Sequence, residues 1–113
     1  MIVNLQSTLV IQLELFKKEI ALFPLATRED IFSLIVRFLN GERLNQTELK
    51  IFKIDGRTKI LEFKTHDHQG NWRVIAVNEK RHLVLLCAFH KKTQKLREKE
   101  KNLIRNRIKQ VRL

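Results

Sequence analysis

Two helices, three meandering strands and a last helix, in that order, predict an α+β domain with its helices packed on a small antiparallel sheet. Three observations carry this. Ile31, Leu34, Ile35, Phe38 and Leu39 recur at helical spacing ahead of Gly41. Three strand-like segments, about 59–65, 71–78 and 82–89, follow one another across short polar connections. A basic segment, about 95–111, then sets Leu96, Leu103, Ile104, Ile108 and Val111 on one helical stripe. With 113 residues the chain suits one domain spanning 1–113, since domains typically run ~100–200 residues.

Residues 2–5 predict a short first strand, a fourth member for the sheet. From Ser7 or Thr8, Leu9, Leu13, Phe16 and Ile20 follow helical spacing. Leu9, Ile11, Leu13 and Leu15 also alternate as in a strand, so the period alone does not decide. The helix-favouring Glu14, Lys17, Lys18 and Glu19 tip the expectation to helix, ended by Pro24 because proline cannot donate the next backbone hydrogen bond. Thr27 with Asp30 reads as a capping-box-like start of the second helix, and Gly41 as its left-handed stop. Residues 42–59 read as a polar connection containing the turn signal Asp55-Gly56. His66-Asp67-His68-Gln69-Gly70 and Asn78-Glu79-Lys80-Arg81 read as the links between the three strands.

Charge is the unusual quantity. Twenty-three Lys and Arg face twelve Asp and Glu, a formal net charge of +11. Residues 91–113 hold ten of the cations against two acids. Such a field attracts polyanions and makes binding fall with salt. A solvated basic helix, an acidic protein partner or an acidic lipid surface would use the same charge. Cys87 sits in the apolar run Leu83–Phe89, which predicts a buried, inert thiol suited to a reducing cytoplasm. No segment approaches the ~18 apolar residues of a membrane span, and Met1–Gln6 lacks the order of a signal peptide. The expectation is a soluble cytoplasmic protein with no membrane partner.

Most catalytic signatures are missing. His66 and His68 flank Asp67, but no second His/Cys pair stands at zinc-like spacing. Three scattered glycines make no phosphate loop, and no serine or cysteine sits on a recognisable nucleophile turn. Neither a metal nor another cofactor is expected. What remains is cations on a sheet. Alternation sends Leu61 and Phe63 to one face and Glu62, Lys64 and His66 to the other. On the next strand Trp72, Val74 and Ala76 oppose Arg73, Ile75 and Val77. Arg73 can therefore meet Lys64 on the polar face, either as a phosphate clamp or in an ordinary cross-strand pair with Glu62. His90, Lys91 and Lys92 follow the most apolar strand, with Lys95, Arg97 and Lys99 leading into the last helix.

These residues carry a resemblance. Leu61-Glu62-Phe63-Lys64, then Asp67, Gly70 and Trp72-Arg73-Val74, resembles the pattern L-x-E-L-R-x-R-D…G-x-Y-R-V, allowing small shifts. Ala88-Phe89-His90-Lys91-Lys92-Thr93-Gln94-Lys95 is similar to the signature G/A-F-x-K-K-T-Q-K. Both belong to the phage-derived, HigB-type branch of the RelE/ParE toxin superfamily, and the likeness covers roughly residues 27–110. It implies a RelE-like fold: two N-terminal helices on one side of a curved antiparallel sheet of three to four strands, plus a basic C-terminal helix. It also implies a type II toxin that cleaves mRNA in the ribosomal A site and is neutralised by an antitoxin, often a helix-turn-helix protein.

The chain departs from the pattern in three ways. Trp72 replaces the usual Tyr, His66 stands where a second Arg is common, and the sequence contains no tyrosine. The expected catalytic set is Arg73 as phosphate clamp, Lys64 as base, His90 or His66 as acid, and Lys91 and Lys92 as added field. His66, Trp72, Lys95, Arg97 and Lys99 are the expected RNA contacts, although Trp72 on its predicted face also suits core packing. The last helix is expected to face RNA. A ParE-like gyrase poison, a non-catalytic RNA- or ribosome-binding module and a membrane-surface binder remain open on the same residues.

Overall fold

Three ten-residue strands dominate the architecture, and both of their faces are apolar over most of their length. The computed structural model describes residues 9–93 and 95–112. Those residues form β1 (Val10–Gln12), α1 (Glu14–Ile20), α2 (Leu25–Leu39), β2 (Leu49–Ile54), β3 (Thr58–Asp67), β4 (Gly70–Glu79), β5 (His82–Lys91) and α3 (Glu98–Val111). The strands make one sheet in the order β1-β5-β4-β3-β2. β2 to β5 are an antiparallel meander, whereas β1 lies parallel to β5 with Val10 opposite Leu83. The class is α+β, as the element order predicts. The expected three- to four-stranded antiparallel sheet is corrected to five strands in mixed pairing.

The helices do not share one side. Phe16, Ile20 and Phe23 join Ile31, Leu34 and Ile35 of α2 over Leu61, Phe63, Trp72, Val74 and Leu85. On the opposite face Ile104 and Ile108 of α3 pack on Ile60, Ile75, Val77, Val84 and Leu86. The unbroken apolar run of β5 is the pattern of a strand buried on both faces, and this is the reason α3 crosses over.

Several local expectations change. The start of the first predicted helix is β1, where the alternation of Leu9, Ile11 and Leu13 pairs with β5, and helix begins only at Glu14. α2 starts at Leu25 behind Pro24, so Thr27 is buried inside its first turn rather than capping it. Gly41, at φ +85°, does end α2 as predicted. The polar connection contains β2, and Asp55-Gly56, both left-handed, form the tight turn of the β2–β3 hairpin. Lys50 and Lys53 are exposed on this edge strand, charges that discourage pairing with another chain. The predicted strand at 2–5 lies outside the described residues.

β5 carries one extra residue. Ile75 pairs with Cys87 but Ala76 with Leu85, so Leu86 is bulged. β1 has already ended there, and side chains replace its hydrogen bonds. Arg107 of α3 donates to the Leu86 carbonyl at 2.7 Å and to both oxygens of Glu19 at 3.0 and 2.6 Å. Glu19 of α1 in turn accepts the Ala88 amide at 3.1 Å. Arg107→Ala strands a carbonyl and a carboxylate. Because Glu19 keeps some solvent contact, the expected loss is about 2–3 kcal/mol, below the ~3–5 typical of breaking a fully buried pair, measured by urea unfolding.

Candidate functional site

At one end of the sheet the apolar pattern on the α3 face gives way to charge. Register sets Lys64 opposite Arg73, His66 opposite Asn71, and Asn71 opposite Lys91 across β3, β4 and β5. Alternation gives all of these, with Glu62, the same face. α3 begins beside them, bringing Glu100 and Arg97, whose charges act on Lys91. Sequence therefore places Lys64, Arg73 and Lys91 on three adjacent strands.

Burial decides what each can do. Arg73 is 2% exposed, its Nε 3.0 Å from Glu62 Oε2 but off the hydrogen-bond axis, so the contact is ionic. Its Nη1 donates to the carbonyls of Thr65 and Trp72 at 3.3 and 3.1 Å. Of the two sequence readings, the structure shows the cross-strand pair with Glu62 and leaves little of Arg73 open to solvent. Lys91 is also 2% exposed, whereas Lys92 turns to solvent. Burial pushes the Lys91 ammonium below the usual lysine range; Glu62 and Glu100 oppose this and Arg73 and Arg97 add to it. Burial likewise lowers Lys64, with Glu62 resisting and Arg73 and Lys50 assisting. Glu100 would be raised by burial, but the Arg97 amide, its guanidinium and Lys91 hold its carboxyl below the ordinary range.

The two candidate histidines part company. His90 pairs with Trp72, on the face opposite Lys64. Its ring stacks on the indole at 4.1 Å, and its Nε2 lies 2.7 Å from the Gln69 carbonyl, to which it donates. Gly70 permits that closeness: a Cβ there would lie 2.5 Å from the His90 Nε2. Trp72 is 7% exposed between His90 and Phe23, so its ring packs the core rather than offering an open stacking face. The indole N–H donates to Asp67 Oδ1 at 2.9 Å, and the Gln69 amide to the same oxygen at 2.8 Å.

His66 remains exposed, with Lys64 half-buried beside it. Both line a cleft of about 120 Å³ with Thr47, Thr65, Asn71 and Arg73. Thr47, Lys64, Thr65 and His66 also line a second hollow of about 340 Å³ running to Asp30, Ser33 and Arg37 of α2. Sequence reading missed Thr47 and Asn71; Asn71 was accessible to it, two residues before Arg73 on the same face. Lys95, Arg97 and Lys99 are exposed around the start of α3. Among the described residues, no group of three or more His, Cys, Asp or Glu could hold a metal ion, and no helix is long and apolar enough to cross a membrane.

The sequence pattern describing phage-derived Gp49-like proteins (DUF891) matches residues 11–109, nearly all of the fold just described. The chain belongs to that family. The Gp49-like family is toxin-like, of the RelE/HigB kind, and membership implies an antitoxin partner. No curated protein matches the chain.

Two substitutions test this account of the site. Glu62→Ala leaves a buried guanidinium unpaired and should cost about 3–5 kcal/mol, most of it recovered in Glu62→Leu with Arg73→Met; denaturant titration measures both. The Trp72 N–H, working against partial burial and helped by the Gln69 amide, holds the Asp67 carboxyl below its ordinary range. Its stabilisation is complete above about pH 4 and is lost as pH falls through the folded value. Asp67→Asn should therefore flatten the acid limb of stability in thermal melts between about pH 2 and 5.

Proposed function

We propose that this Gp49-like protein is the toxin of a type II toxin–antitoxin pair and cleaves mRNA on the ribosome. Lys64 carries the reading: a lysine with lowered basicity at the mouth of a cleft, beside an exposed histidine, over two buried cations. Its neutral amine takes the proton of a ribose 2′-hydroxyl, whose oxygen attacks the adjacent phosphorus. The 5′-oxygen leaves with a proton from the His66 imidazolium, giving a 2′,3′-cyclic phosphate and a 5′-hydroxyl. His66 takes the acid role because His90 lies across the sheet. Arg73 acts as a positioning residue, gripping the Thr65 and Trp72 carbonyls beside Lys64. With Lys91 it contributes positive field where the phosphorane gains charge. The net charge of +11 favours encounter with ribosome-bound RNA.

The antitoxin is proposed to be a helix-turn-helix protein, and the site of action the cytoplasm. The sealing of Arg73 favours one second reading, an RNA- or ribosome-binding module that does not cut.

Induced expression with mapping of mRNA 5′ ends separates the two: new 5′-hydroxyl ends support cleavage, and intact mRNA with arrested translation supports binding alone. Lys64→Ala should lower cleavage about 10²–10⁴-fold without unfolding the protein. Lys64→Arg should not restore it, because a guanidinium stays protonated. Because the step needs Lys64 neutral and His66 protonated together, cleavage should follow a bell-shaped pH profile, and His66→Gln should lower the rate and abolish the alkaline fall. A rate indifferent to Lys64→Ala removes it from the chemistry.

A further inference from the structure

α3 carries two stripes. Ile104, Arg107, Ile108 and Val111 face the second core and the Glu19 contact. Lys99, Asn102, Leu103 and Asn106, spaced i, i+3, i+4 and i+7, form another stripe beside it. That second stripe borders a groove of about 410 Å³, completed by Phe89 and His90 of β5 and by Arg97 and Glu100. Leu103 and Phe89 are half-buried and give an apolar floor, while Asn102, Asn106, Lys99 and Arg97 rise exposed around it. The groove is separate from the Lys64 cleft and shares no lining residue with it.

We infer that this groove is a binding site for single-stranded RNA, seating an unstacked base on Phe89 and Leu103. An aromatic floor accepts any base by its face. The Asn106 amide offers a donor and an acceptor together, the pattern that reads a base edge, while Asn102, whose Oδ1 already accepts from Arg105 at 2.7 Å, keeps its N–H groups to donate. Lys99 supplies the charge that a flanking phosphate needs, with Arg97, held to Glu100 at 3.1 Å, beside it. An acidic protein segment would use the same cations, so a poly-Glu peptide enters the test; the aromatic floor and the exposed Asn106 amide favour a base. The inference rests on the RNA reading above and adds a second contact to it. Glu100 lines the groove, and its charge and that of Lys91 act on one another, so the groove lies beside the charged end of the sheet.

The test is fluorescence anisotropy of the full chain with labelled single-stranded hexamers rA6, rC6 and rU6, a hexamer duplex and an acidic poly-Glu peptide. Phe89→Leu should weaken all the single strands about 5- to 100-fold. Asn106→Ala, an exposed change that leaves the core untouched, should weaken binding and narrow the differences among the three hexamers. Lys99→Ala should weaken all three alike and reduce the salt slope by about 0.7. Three results would overturn the site: hexamer binding unmoved by Asn106→Ala and Phe89→Leu, duplex binding as tight as single-strand binding, or the groove variants weakening only poly-Glu. Lys64-dependent cleavage with an unresponsive groove overturns this inference alone. Groove binding without cleavage supports it and removes the nuclease.

Discussion

One ionic contact joins all three layers. Glu19 on α1 and Arg107 on α3 meet past the point where β1 stops, and between them they satisfy the bulged carbonyl of Leu86 and the amide of Ala88. A bulge in a strand whose neighbour has ended leaves polar backbone inside an apolar setting, where each unmet group costs about 1–3 kcal/mol. The contact also fixes where α3 lies along the sheet. That position decides which half of the α3 face becomes core and which half becomes the charged end. The functional geometry therefore depends on a pair some distance in sequence from Lys64.

The charged end shows the consequence. Glu62 and Glu100 lie among Lys64, Arg73 and Lys91, so cations exceed acids in a largely dehydrated corner. Arg73 spends its hydrogen bonds on backbone and its charge on Glu62. What reaches solvent is His66, with Lys64 half-buried beside it. Burial lowers the basicity of the half-buried Lys64, with Glu62 resisting and Arg73 and Lys50 assisting. The groove beyond α3 is built differently, from amides and an aromatic ring, and suits recognition rather than proton transfer.

Much of this was legible in the sequence, for identifiable reasons. α2, the three long strands and α3 have strong periodicity and clear turn residues, and their positions follow. Strand alternation also placed Lys64 and Arg73 on one face. β1 was hidden because Leu9 and Leu13 satisfy both helical and strand spacing, and its partner Leu83 lies far along the chain. β2 was hidden because Lys50 and Lys53 interrupt its apolar residues, as befits an edge strand. The burial of Arg73 depended on tertiary packing around it, a long-range fact that alternation along β4 does not report. His90 separated from Lys64 for the simplest reason: it follows Phe89 by one residue and so faces the other way.

Cys87 lies in the second core, wholly buried. Burial pushes its thiol far above the usual range, with Glu19 adding to the effect and Arg107 opposing it. In the folded protein this sulfur is a poor competitor for maleimides or oxidants. A cysteine introduced on the surface can therefore carry a spin label or dye at one defined place without first replacing the native one.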